Sequence, residues 1–151
     1  MPSKPSKFPI GYVNIRVFAH ATEDQERVVT ALRNTLPEEL RENMVLKKTG
    51  LEGHHGNPIT LIEAELADRE TLMAVLENLG KRLTSLDKET LSREMLLHLE
   101  KGNLFLRLDK QQAYLGHLRV SPNDPLHFKV HFRNKTNDEI IAICKEAGLL
   151  P

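Results

Sequence analysis

Residues 12–20 alternate between apolar and polar positions, with Val13, Ile15, Val17 and Ala19 on one side and Tyr12, Asn14, Arg16, Phe18 and His20 on the other. A period of two predicts a half-buried β-strand with two different faces. Thr22 and Gln25 then form a capping-box pattern, and Val28, Val29, Leu32 and Leu36 follow at helical spacing before Pro37. A helix over about 23–35 is expected.

Segments 43–48 and 58–66 read as two further strands joined by a glycine-bearing loop. Asp68 can cap the next helix, in which Leu72, Val75, Leu76 and Leu79 recur at i, i+3, i+4 and i+7, with Gly80 ending or loosening it. Another helix is expected over about 87–100, closed by Gly102. Segments 104–108 and 126–133 alternate again, with a short strand expected at Arg119–Val120 and a turn over 121–125. Thr136 and Glu139 form a second capping box before Ile140, Ile141 and Cys144, and Gly148 is placed to stop that helix. The order β-α-β-β-α-α-β-(β)-β-α contains no regular βαβ repeat. The expected fold class is therefore α+β: a single domain over 11–151 with a mainly antiparallel sheet and helices packed on one face, preceded by a tail over 1–10.

Composition agrees with a folded domain: of 151 residues, 40% are hydrophobic and 28% charged. No apolar run approaches the roughly 20 residues that cross a bilayer, and the N-terminal segment lacks an apolar stretch of the secretory kind. The expectation is a cytoplasmic protein without a membrane partner. One cysteine, Cys144, falls on the apolar side of the last helix and reads as a buried thiol.

Charge changes the picture through its distribution. The net charge is zero, from 21 basic and 21 acidic residues, yet residues 101–135 hold seven basic and two acidic side chains. In the strand at 126–133, Leu126, Phe128, Val130 and Phe132 point to the core, leaving His127, Lys129, His131 and Arg133 on the opposite face. Phe105 and Arg107 join that face from the preceding strand, and Tyr12, Arg16, Phe18 and His20 from the first. Basic groups mixed with flat side chains suit RNA, because cations neutralise phosphates and aromatic rings stack exposed bases. The plainer reading is a solvated strand face with its ordinary polar residues.

Two loops stand out. Gly53-His54-His55-Gly56-Asn57-Pro58 sets two imidazoles between glycines, and the Arg107–Gly116 segment offers Lys110, Gln111 and Gln112 between Asp109 and Tyr114. Adjacent histidines without a spaced cysteine or carboxylate do not make a zinc pattern, so no metal or other cofactor is expected. His20-Ala21-Thr22 supplies one H-x-T element without the second that a two-histidine phosphoesterase needs. No nucleophile elbow, P-loop or dinucleotide fingerprint is present, and no catalytic residue is assigned.

These two loops, together with Phe18-Ala19-His20-Ala21-Thr22-Glu23-Asp24, resemble the signatures of an archaeal family described as RNA-binding proteins or exosome subunits. The resemblance implies a compact α+β fold like that of the ribosomal protein that holds 5S rRNA, or of double-stranded-RNA-binding domains. The expected function is non-catalytic RNA binding, as an accessory to RNA processing or degradation. The expected contacts are Arg16, His54, His55, Asn57, Arg107, Lys110, Gln111, Lys129, His131 and Arg133. The alternative is a protein–protein adaptor or homodimer that uses Tyr12, Phe18 and Phe105 as apolar contacts.

Overall fold

The computed structural model describes residues 8–53 and 56–151. The sheet is built from β1 (Ile10–Ala19), β2 (Lys47–Glu52), β3 (Pro58–Leu66), β4 (Leu99–Glu100), β5 (Asn103–Leu108) and β6 (Leu126–Phe132). They pair in the order β2-β3-β1-β6-β5-β4, and every pairing is antiparallel. The helices are α1 (Gln25–Asn34), α2 (Glu38–Arg41), α3 (Arg69–Arg82), α4 (Ser85–Arg93), α5 (Lys110–Tyr114) and α6 (Asn137–Glu146). This is the expected α+β class with a mainly antiparallel sheet.

Register places the apolar half of each strand on one side. Val13 pairs with Leu66 and Val130, Ile15 with Ala64 and Phe128, and Leu104 with Val130. These side chains form one buried cluster with Leu32 of α1, Leu72, Val75 and Leu79 of α3, Leu91 of α4, and Ile140 and Cys144 of α6. A sheet buried on one face and open on the other requires strict period-two strands, and β6 meets that requirement over its whole length.

Several boundaries differ from expectation, each for a local reason. The α1 cap is Asp24, which accepts from the Glu26 amide at 3.0 Å, and not Thr22. Gln25 instead donates to Thr60 Oγ1 at 3.0 Å, tying the helix to β3. The strand expected at 43–48 begins only at Lys47, because Arg33 donates to the carbonyls of Arg41 and Met44 and holds that approach against α1. The helix expected to 100 stops at Arg93; a 3₁₀ turn over Met95–His98 follows and leads into β4. Gly102 turns the β4–β5 hairpin, where Lys101 and Gly102 have φ of 50° and 80°, and does not close a helix.

Gly80 neither ends nor loosens α3. A Cβ there would lie 2.5 Å from the Ala147 carbonyl, so glycine is what lets the end of α6 close on α3. Thr136 and Glu139 do form the capping box of α6, and Gly148 follows its end with φ of 83°. Arg119–Val120 contributes one bridge, Val120 to Leu108. β1 starts at Ile10, already buried, so the structured chain includes the last residue of the expected tail; residues 1–7 lie outside the described residues.

Candidate RNA-binding surface

The face away from the helices carries the polar half of each strand in cross-strand rows. One row runs Lys47, Glu63, Arg16, His127, Arg107 over five strands, β2 to β5. The next contains Glu65, Asn14, Lys129 and Phe105, and the third Tyr12, His131 and Asn103. Residues directly opposite in such rows have Cβ atoms about 4.5–5.5 Å apart, so each row behaves as a unit.

In the first row Arg16 lies 3.5 Å from Glu63, which offsets part of its charge. His127 sits between Arg16 and Arg107. Partial burial, then the Arg107 and Arg16 guanidiniums, hold its pKa below the usual imidazole value, so it is neutral at pH 7. In the third row Tyr12 and His131 stack with ring centroids 4.9 Å apart and planes inclined by 20°. The His131 ring nitrogen Nδ1 bonds Asn103 Oδ1 at 2.8 Å, and Lys129 Nζ lies 5.6 Å from the centre of the Tyr12 ring. Arg133 continues past the end of β6, exposed, beside Lys101 and Lys135 around a basic hollow of about 590 Å³.

The structure brings Arg16, Arg107, Lys129, His131 and Arg133 together on or at the rim of this face. Gln111 is exposed on α5, in a groove of about 560 Å³ between α1 and α5, away from the open face. Asn57 is exposed at the β2–β3 connection, where its carbonyl accepts from Gly53 at 2.6 Å. His54 and His55 lie outside the described residues.

Lys110 has a different environment from the one expected of a phosphate contact. It is 7% exposed, and its ammonium donates to the Phe18 carbonyl at 2.9 Å and to Glu23 at 2.9 and 3.0 Å, with Asp124 Oδ2 at 2.8 Å. An ammonium has three hydrogens to donate, so this set consumes them. Burial tends to raise the Asp124 carboxyl pKa, but hydrogen bonds and charge from Lys110 and His20 outweigh it and hold the group below its usual value. His20, Glu23 and Asp124 offer ligand atoms within 4.8 Å of one another, yet a cation entering there would have to displace Lys110.

Sequence reasoning set His127 and Asn14 on the open face without assigning them a role. The signal that singles them out is cross-strand register, which places His127 between two arginines and Asn14 between Glu65 and Lys129.

A family model described as RNA binding matches residues 12–132, from the start of the open face to the end of β6. The chain belongs to this family. It is 36% identical over 121 residues to an RNA-binding protein of Pyrococcus abyssi, covering 78% of this chain and 79% of that one. Among solved structures, a DUF54 protein of Methanothermobacter thermautotrophicus superposes with a TM-score of 0.73 at 29% identity, covering 95% of this chain and 100% of that one. A protein of Archaeoglobus fulgidus superposes with a TM-score of 0.78 at 25% identity, covering 91% and 99%. The family's matched span includes β1, β5 and β6, the three strands that carry the basic and aromatic rows.

Proposed function

We propose that the protein binds RNA on its open sheet face, with Arg16, Arg107, Lys129 and Arg133 toward phosphates and Tyr12, Phe105 and His131 toward bases or sugars. The observation that carries this reading is the pair of rows Arg16-His127-Arg107 and Tyr12-His131-Asn103, which interleave cations with flat rings on one uncovered surface. Phosphate neutralisation supplies most of the affinity in such interfaces, and stacking adds roughly 1–3 kcal/mol per base. Membership in an RNA-binding family and the name of the Pyrococcus relative support the same ligand.

Along the chain, acidic side chains concentrate in residues 22–100 and basic ones are in excess in 101–135; on the open face Glu63 and Glu65 lie at the β3 side, and the basic side chains of β5 and β6 at the other. Lys110 and Gln111 are left out of the proposed surface, the first because it is buried in ion pairs and the second because it lies on α5. An accessory role in RNA processing, in a cytoplasmic complex, is the setting proposed for this binding.

Titrating isotope-labelled protein with single-stranded and with structured RNA, followed by amide chemical shifts, tests the surface. The shifts are expected on β1, β5 and β6, centred on residues 14–16, 105–107 and 127–131. Shifts confined to the helices would refute it.

A further inference from the structure

The two edges of the sheet are finished differently. At β5 the short β4 pairs with Asn103 and Leu104, His98 Nδ1 lies 3.1 Å from the Phe105 carbonyl, and the Ser121 amide donates to the Arg107 carbonyl at 3.0 Å. At the opposite edge β2 pairs only with β3, and among the described residues no hydrogen bond reaches its outer side.

The ladder defines what that outer side offers. The Gly53 amide donates to the Asn57 carbonyl, so Gly53, Leu51, Thr49 and Lys47 bond inward to β3. Bonding direction alternates along an antiparallel strand, which turns the N–H and C=O groups of Lys48, Gly50 and Glu52 outward. Pro58, without an amide hydrogen, stands opposite Glu52, as this phase requires. Nothing overhangs the edge: Lys48, Gly50 and Glu52 are exposed, and a Cβ added at Gly50 would meet no atom within 4 Å. The strand contains no proline and its register runs without a bulge, two of the devices that keep an edge from pairing.

We propose that β2 is a dimerisation edge, pairing antiparallel with β2 of a second copy of this chain about a twofold axis at Gly50. Outward residues pair only with outward residues, so the possible registers differ by steps of two. The one centred on Gly50 sets Lys48 of each copy opposite Glu52 of the other, an ion pair formed twice. Sliding by two residues leaves both charges without a directly opposite partner, and sliding by four sets Lys48 against Lys48 or Glu52 against Glu52. Opposite charges across a ladder stabilise it and like charges oppose it, so the charges select the central register. Lysine on an edge ordinarily discourages pairing; here Glu52 on the same strand makes the edge complementary to itself, as a twofold contact demands. On the open face Leu51, 43% exposed in the single chain, comes to lie against Thr49 of the second copy. Residues opposite in a ladder project to the same side, so both open faces look the same way, with the two β1 strands five strand spacings apart, about 24 Å. The dimer stands whether or not the open face takes RNA.

One strand from each copy makes a small interface, so a dissociation constant between about 10 µM and 1 mM is expected. Sedimentation equilibrium of the full chain over that range of concentration measures it, and wild type should approach twice the chain's mass. Gly50→Pro removes an outward N–H that the single chain does not use, and should leave a folded monomer. Lys48→Glu and Glu52→Lys should each weaken self-association by about tenfold or more, since two like-charge contacts replace two ion pairs. Mixed together, these two single variants should pair with each other, because every Lys–Glu contact is restored between unlike copies. That mixing result needs no proline in the strand, so it decides the matter even if Gly50→Pro folds poorly. A wild type that stays monomeric to about 1 mM overturns the proposal and leaves the edge to a strand from some other protein. A dimer that survives both Gly50→Pro and the charge reversals, or single variants that do not pair on mixing, overturns it as well.

Discussion

The Lys110 ammonium lies 2.8 Å from the Asp124 carboxylate, joining the first residue of α5 to the turn that precedes β6. With Glu23 and the Phe18 carbonyl it also fastens the α1 approach and the end of β1. One buried lysine thus links four segments at one end of the sheet. Removing it leaves two carboxylates facing each other without their cation, although both remain partly open to water. Lys110→Met is expected to lower stability by roughly 1–3 kcal/mol, less than a fully buried pair would cost. Thermal or denaturant unfolding measures the loss, while RNA affinity of the folded variant should stay at the wild-type level. A flatter salt dependence of RNA binding in this variant would instead place Lys110 in contact with phosphate.

Asp124 gives this linkage a pH signature. Its folded pKa is depressed below 3.8, so the stabilisation is fully present above that value and is lost as pH falls through the lower, folded one. Asp124→Asn removes the titrating group. The stability gap between wild type and Asp124→Asn is expected to stay constant from pH 7 to about 5 and to narrow in the acid range. A gap that widens on acidification would contradict the assignment.

His127 carries a second pH effect, which is read most directly in binding. Burial and the facing Arg107 and Arg16 depress its pKa, against a smaller opposing contribution from Asp124. A phosphate seated between the arginines offsets their repulsion, so the bound state has the higher imidazole pKa. RNA affinity is then expected to rise as pH falls from 7 through the bound-state value, and His127→Gln should remove this increment. Affinity measured from pH 7.5 to 5.5 in both proteins decides it; parallel profiles would show that no phosphate lies between the two arginines.

The alternation in β1 and β6 carried most of the fold, because a one-residue slip would have turned Phe128 and Val130 to solvent. The same alternation placed Arg16, Lys129 and His131 on the open face, and that of β5 placed Arg107 there. The ion pairs of Lys110 were not legible for a physical reason: its neighbours Asp109 and Gln111 are local, but its partners Glu23 and Asp124 are distant in sequence and approach only when α1 and the β5–β6 connection fold over the end of β1. Gly102 was misplaced similarly, since a glycine after a helical pattern reads as a stop signal whether it ends the helix or turns the hairpin beyond it. The rows themselves were not legible, because register between β1, β5 and β6 is set by three-dimensional pairing.

Cys144 is 1% exposed in the core between α6 and the sheet, and burial pushes its thiol pKa up to about 12. Thiolate is the reactive form, so native protein is expected not to react with a disulfide reagent at pH 8 over minutes, and to release one equivalent on unfolding. Rapid reaction of the native protein would show that α6 opens from the sheet.

The central claim is that RNA phosphates meet the open face, and the slope of log affinity against log salt concentration tests it most directly. Arg107→Ala and Lys129→Ala, on the open face, are each expected to weaken binding and to reduce the magnitude of the slope by about one, while Arg93→Ala, at the end of α4, should change neither. Equal slopes for wild type and both open-face variants, or a reduced slope for Arg93→Ala alone, would place the RNA elsewhere on the molecule.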